Sequence, residues 1–329
     1  MGSITDSVDV RNKLEDLSGV VLKPGENPYK ALIEAGNDDP AQIQALYAAH
    51  RARRNAQQRE KFLASDYQGL IIDQYLLRLE NPHIEPGFKD ERNCMTFWGR
   101  PPIHILKLAD AIQKKLAAVS PNLWLMPLHQ MHITTLEVAF CRSPSEITSL
   151  VETLRPAIPR IASYTYARAH RARLVKPMVS YDLSALALSF LPAAGEDRHH
   201  HHYHDNHDNH HHDNNDNNND DDKYTYHHLR RDIWDLTAAS GVTVDSRYIV
   251  PSAHVTLGRY LEQGSHATAA QRRRWVEAVE EVNAWLEAEV WGGAGEAGEW
   301  VVGQERGLDV RVGTLWYGGG RTVLTGEGF

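Results

Sequence analysis

Two stretches decide how this chain is read: LWLMPLHQMHITTLEVAF (residues 123–140) and SRYIVPSAHVTLGRYL (residues 246–261). Both are rich in the β-branched and aromatic residues that suit a pleated strand. Each holds one H-x-T triplet, His132-Ile133-Thr134 and His254-Val255-Thr256. Side chains alternate faces along a strand, so His132 and Thr134 share one face, as do His254 and Thr256, while Ile133, Val255 and Leu257 point behind. A third triplet, His266-Ala267-Thr268, lies where a helix begins. Residues two apart on a helix do not share a face, so it is set aside. Ten histidines outside a His-rich tract and 15 threonines yield roughly 0.5 such triplets by chance in a chain this long. The weight therefore rests on context.

That context is a duplication. Apolar residues at helical spacing precede and follow each motif. Before the first come Ile105, Leu108, Ile112, Leu116 and Val119, and after it Ile147, Leu150, Val151, Leu154 and Ile158. The second is preceded by Tyr226, Leu229, Ile233 and Leu236 and followed by Trp275, Val279, Val282 and Leu286. Ser143-Pro144-Ser145-Glu146 opens the second of these helices as a capping box with proline at its first position. His132 sits 13 residues past Val119 and 12 before Pro144, and His254 sits 15 past Ala239 and 13 before Ala267. The pattern helix, H-x-T strand, helix thus occurs twice. RLVKPMVSYDLSALALSF (173–190) and GLDVRVGTLWYGGGRTVLT (307–325) supply further strands, the latter as a hairpin turning at Gly318 to Gly320. The expected class is α+β, with two antiparallel-sheet lobes, helices outside and a central cleft.

If the duplicated lobes face one another, two imidazoles and two hydroxyls converge. One histidine takes a proton from an attacking water or hydroxyl and the other gives one to the departing oxygen, both near neutral pKa. The threonines donate to non-bridging phosphoryl oxygens, where charge grows in the transition state. Such an inventory performs phosphodiester chemistry without a metal or cofactor.

At HITT (132–135) and HVTL (254–257) the chain resembles the two-histidine phosphoesterases, among them cyclic nucleotide phosphodiesterases and RNA-end-processing enzymes, over Arg92 to Phe329. The resemblance implies the bilobal fold and catalytic roles for His132, Thr134, His254 and Thr256. Thr135 departs from the family pattern, which has an apolar residue there. The expected activity is hydrolysis of a cyclic phosphodiester such as a nucleoside 2',3'-cyclic phosphate. Alternatives are an RNA-end enzyme that trims 3' ends or joins them through a 2'-5' linkage, a non-catalytic nucleotide- or RNA-binding module, and, last, a metal-dependent hydrolase. Tyr260, on the strand face of His254, and Tyr181 are candidate base-stacking residues, with Trp316 and Tyr317 behind them. A regular strand turns Arg259 away from His254.

The remainder divides into a mobile tail (1–25), a helical extension (26–90) and the bilobal domain (91–329), interrupted by a low-complexity insertion (195–222). Asp39-Pro40 opens a helix in the extension. Its Arg51, Arg53, Arg54 and Arg59 read as a solvated face. The insertion holds nine histidines, and a floppy tract of that kind reads as a linker rather than a selective metal site. It also carries nine carboxylates and one arginine, the whole of the chain's net charge of −8. The rest is near neutral, which argues against a grip on long nucleic acid and for a small nucleotide or short RNA end as partner, not DNA. Cys94 and Cys141 are too few for a disulfide framework. No apolar run reaches the roughly 18 residues that cross a bilayer, and no leader pattern is evident. A cytoplasmic or nuclear monomer is expected.

Overall fold

In the N-terminal region, side-chain caps set where helices start. Asn27, Asp39 and Asp73 cap α1 (Pro28–Ala35), α2 (Pro40–Leu63) and α3 (Gln74–Glu80), with proline entering the first turn of α1 and α2. The computed structural model describes residues 15–23, 25–196, 222–292 and 296–329. The insertion and its nine histidines lie, but for its ends, outside the described residues, as do residues 1–14 of the expected mobile tail. The described part of that tail is tethered: the Leu17 amide donates to His50 Nδ1 at 3.0 Å, and Arg53 donates to the Leu17 carbonyl at 2.8 Å.

The four helices read from apolar spacing form: α4 (Ile103–Val119), α5 (Pro144–Leu154), α7 (Tyr226–Ala239) and α8 (Ala269–Trp285). The Ser143/Glu146 capping box closes as expected. Ile158 falls outside α5, because Pro156 and Pro159 break the run, and it starts a short α6 (Ile158–Ala162). No helix among the described residues is long and apolar enough to cross a membrane.

The strands are β1 (Asn93–Gly99), β2 (Leu123–Leu125), β3 (Ile133–Arg142), β4 (Arg173–Tyr181), β5 (Ala185–Pro192), β6 (Ala253–Tyr260), β7 (Trp300–Val301), β8 (Leu308–Thr314) and β9 (Arg321–Thr325). Their order is β7-β4-β5-β6-β3-β1-β8-β9, with β2 added to β6 and every pairing antiparallel. The class is α+β. Two lobes with separate sheets were expected; instead the motif strands β3 and β6 lie side by side and join both halves into one sheet. The seam is a single residue pair, Ile133 with Val255. The hairpin at Gly318 to Gly320 forms between β8 and β9.

Both motif strands bulge at the same place. In β3, Trp98 pairs with Thr134 but its neighbour Phe97 pairs with Leu136, so Thr135 is the extra residue. In β6, Ala187 pairs with Thr256 but Leu186 pairs with Gly258, so Leu257 is the extra residue. Each bulge lies three residues past the histidine and reverses which side chains face the cleft beyond it. A bulge also frees backbone groups that must find partners. Here a helix from the opposite half supplies them: Gln113 of α4 donates to the Leu257 carbonyl at 2.8 Å, and Arg230 of α7 donates to the Thr135 carbonyl at 3.3 Å. The helices are thus exchanged between the repeats, α4 packing on β6 and α7 on β3.

The extension is built into the domain rather than appended to it. α2 packs against β4, β5 and α8, and α1 packs on α7. Tyr29, Ile43, Tyr47 and Phe62 are fully buried in the same apolar core as Ile112, Leu136, Leu188 and Val255.

Candidate active site

Because β3 and β6 are adjacent, their upward-facing side chains share one cleft. His132, Thr134, His254 and Thr256 line it together, with Thr96 and Trp98 of β1, Glu137 of β3, Arg259 of β6 and Arg247, Tyr248 and Trp316 from loops. The sequence reading of the four motif residues as one cluster matches this placement. Behind them Ile133, Val255 and Leu257 are buried in the core, as alternation requires.

The two imidazoles are held differently. His132 Nδ1 lies 2.9 Å from the Gln130 carbonyl. A carbonyl only accepts, so Nδ1 carries the proton and Nε2 of the neutral ring keeps its lone pair. The ring stacks on Trp98, with centroids 3.6 Å apart and planes 13° from parallel. The Trp98 ring also has cations near it, with the Arg100 and Arg311 guanidinium carbons 5.0 and 5.1 Å from its centroid. His254 Nδ1 faces the Ser252 hydroxyl at 3.0 Å. A hydroxyl either donates or accepts, so this contact suits both the neutral and the protonated ring. Neither Nε2, nor the hydroxyl of Thr134 or Thr256, has a protein partner among the described residues.

Burial lowers His132 to about 3, with Arg100, His254 and Arg311 adding to the fall and the bond to Gln130 opposing it. Burial likewise lowers His254 to about 4, with Arg54, Arg230 and His50 adding and Asp182 opposing. Both rings are therefore neutral at pH 7. An anion seated between them favours their protonated forms.

The bulges decide the next residues. Five positions past each histidine come Glu137 and Arg259, and both face the cleft. Arg259 was expected on the opposite face from His254, and Tyr260 on the same one. The extra residue at Leu257 exchanges them. Tyr260 is fully buried among Phe62, His266 and Trp275, a core residue with no access to the cleft. Gly258 is required at this point of β6, since a Cβ there would stand 2.5 Å from the Trp124 carbonyl of β2. The discarded third motif is structural: His266 is buried, and Thr268 caps α8.

Tyr181 stacks edge-on against Phe62, ring centroids 5.2 Å apart, and lines a larger cavity that continues from the cleft past His254. Trp316 lines the cleft itself, whereas Tyr317 braces it by donating to Asp73 Oδ2 at 2.7 Å, a carboxylate 3.4 Å from Arg259. Glu137 accepts from Arg247 at the backbone amide (3.0 Å), Nε (3.0 Å) and a terminal nitrogen (2.6 Å), which fixes the loop that carries Tyr248 and Ser252 to His254.

Helix α2 supplies cavity-lining residues that sequence reasoning passed over. Tyr47, His50, Arg51 and Arg54 of α2 line the larger cavity, beside Ser180, Asp182 and Ser189 of the β4–β5 hairpin. Their spacing of i, i+3, i+4, i+7 is a visible stripe. Expected to be solvated, Arg51 is in fact buried, and Arg54 pairs with Asp182 at 2.6 Å. Arg53 and Arg59 do lie on the outer face.

No family model matches the chain, and no curated protein matches it. Among solved structures it is similar to that of Kluyveromyces marxianus Usb1, with 13% identity and a TM-score of 0.33, over 68% of this chain and 95% of that one.

Proposed function

We propose that this protein is a two-histidine phosphodiesterase that cleaves a phosphodiester held between His132 and His254. The observation that carries the proposal is the shared cleft: two neutral imidazoles, each anchored through Nδ1 and each presenting Nε2, beside two threonine hydroxyls without protein partners. The resemblance at HITT and HVTL supports the same reading. His132, whose proton is fixed on Nδ1, accepts at Nε2 the proton of the attacking water. His254 takes up a proton from solvent as the anionic ester binds, its serine partner accommodating the charged ring, and gives its Nε2 proton to the departing ribose oxygen. The new P–O bond forms as the ester bond breaks, and the two rings exchange protons with solvent before the next turn. Thr134 and Thr256 donate to the non-bridging oxygens.

The first substrate class is a nucleoside 2',3'-cyclic phosphate. An RNA end is the second, favoured by the arginines at the cleft: Arg247 and Arg259 line it and Arg51 and Arg54 line its extension. The test is hydrolysis of 2',3'-cyclic nucleotides and short cyclic-phosphate RNAs in excess chelator. Turnover should survive chelation and fall on the order of 10³-fold in His132→Ala and in His254→Ala. Turnover indifferent to both substitutions would sink the assignment.

A further inference from the structure

The cavity beside His254 has a charge that catalysis at the two histidines does not require. Four arginines line it, Arg51, Arg54, Arg247 and Arg259, against one carboxylate, Asp182. Three of the arginines already have acidic partners: Arg54 has Asp182, Arg247 has Glu137 and Arg259 has Asp73. Arg51 has none. Its side chain is 8% exposed, and one terminal nitrogen donates to the Lys176 and Ser189 carbonyls at 2.7 and 3.2 Å. Glu287 acts on it from beyond ion-pair distance. Its Nε and second terminal nitrogen have no protein partner among the described residues.

A buried guanidinium is costly to leave unpaired. Arg230 shows how this fold satisfies one that is structural: all three of its nitrogens donate, to the carbonyls of Thr135, Tyr248 and Val250 and to the Tyr29 hydroxyl. Arg51 differs by keeping donors unused on the wall of a cavity. Beside it on the same helix stands His50, itself 4% exposed. Its Nδ1 accepts from the Leu17 amide, so the proton sits on Nε2, at the opposite edge of the ring, where no protein acceptor is found among the described residues. A guanidinium braced on one edge by two carbonyls and by the Trp291 ring, whose centroid lies 5.7 Å from its carbon, and an imidazole N–H thus line the same cavity, and both can donate to an anionic acceptor.

We propose that this cavity is a second phosphate subsite, in which Arg51 and His50 receive another phosphoryl group of the substrate while the reacting phosphodiester lies between His132 and His254. The inference rests on the phosphodiesterase reading above. It narrows the substrate to a nucleoside cyclic phosphate or RNA end that carries a second phosphate one nucleoside away. Arg51 supplies the charge, and the neutral His50 supplies a directed hydrogen bond. Because α2 brings both, the N-terminal helix becomes a specificity element rather than a support.

The experiment compares uridine 2',3'-cyclic phosphate with and without a 5'-phosphate on the full chain. The 5'-phosphate should raise kcat/KM about tenfold or more, as one charge-assisted contact does. In Arg51→Met the ratio of the two kcat/KM values should fall to near one, and Arg51→Lys should restore part of it. Equal kcat/KM for the two substrates in the wild-type chain overturns the subsite while leaving the hydrolase reading intact, and this comparison stands even if Arg51→Met does not fold. A second arm needs no turnover: adenosine 3',5'-bisphosphate should bind about tenfold tighter than adenosine 3'-monophosphate by calorimetry. If no substrate is hydrolysed but this difference appears and vanishes in Arg51→Met, the subsite holds and the hydrolase reading fails. Equal binding of the two nucleotides overturns the subsite in either case.

Discussion

The two halves of the cleft share a design and differ in what surrounds it. In each, a histidine and a threonine two residues on face inward, a bulge follows the threonine, and a polar residue five past the histidine returns to the cleft. In each, a helix from the other half satisfies the carbonyl of the bulge. The surroundings diverge. His132 lies flat on Trp98 and is fixed by a backbone carbonyl, whereas His254 borders a wide cavity walled by α2. On the proposed reading, what is duplicated serves the reacting phosphorus, and what is not duplicated distinguishes the two sides of the substrate. A cleft with a pseudo-twofold origin thereby acquires a direction.

The largest effect tests whether the shared design acts as a unit. If His132 and His254 pass one proton each in a single step, the double variant His132→Ala/His254→Ala should lose little more than either single variant, on the order of 10³-fold in kcat. Losses that multiply in steady-state kinetics would mean that the two rings work independently, and the symmetry would then be architectural only.

Next in size is the exchange of helices. Arg230→Met removes donors to three carbonyls and should cost about 3 kcal/mol, while Gln113→Met, which removes the side-chain donor to the Met126 carbonyl and one of two donors to the Leu257 carbonyl, the Met126 amide remaining, should cost about 1–2 kcal/mol. Urea denaturation measures both. A larger loss at Gln113 would reverse the ranking of the two supports and show that β6, not β3, depends more on its partner helix.

What could be seen in the sequence follows from which physical rules are local. Apolar spacing placed α4, α5, α7 and α8 because burying one face of a helix demands that period. The motif pair was visible because the same context occurs twice. The bulges were not visible, since one extra residue leaves the β-branched composition of a strand unchanged. Strict alternation therefore exchanged Arg259 and Tyr260. The seam between β3 and β6 also escaped detection: one residue pair joins the halves, too little to mark either strand. On α2 the arginines Arg51, Arg53, Arg54 and Arg59 read together as a solvated face until β4 and β5 are known to lie beneath the stripe that holds Arg51 and Arg54.

Acidity offers a third test. Both cleft histidines have lowered pKa values in the folded chain, about 3 and about 4. An unfolded histidine titrates near 6.5, so the unfolded chain binds more protons below that value. Stability is full above about pH 6.5 and drains as pH falls toward the folded values, by up to ~1.4 kcal/mol per pH unit for each ring. Burial also lowers His50, His227, His228 and His266, so acid lability alone does not isolate the cleft. Inorganic phosphate does. Its affinity should strengthen as pH falls from about 7 to about 5, because an anion between the rings draws a proton onto them. That gain should disappear in the double alanine variant. A pH-independent affinity in the wild-type chain would show that the two rings do not share the anion.

The smallest effect lies at the twin bulges themselves. Leu257 and Thr135 occupy the same position in their strands, and both are fully buried. Leucine suits that place. Threonine puts a hydroxyl there that has no hydrogen-bond partner in good geometry among the described residues; it acts on the neighbouring Tyr226 hydroxyl, but that group gives its proton to the Thr134 carbonyl at 2.9 Å. An unsatisfied buried hydroxyl costs about 1–3 kcal/mol, while valine has nearly the same shape and no polar atom. Thr135→Val should therefore raise stability by about 1 kcal/mol in urea denaturation, with the backbone bond from Arg230 to the Thr135 carbonyl untouched. A loss in its place would mean that the hydroxyl pairs with Tyr226 in solution. The polar residue would then be a third brace between α7 and the first motif, one that the second motif, with Leu257, does without.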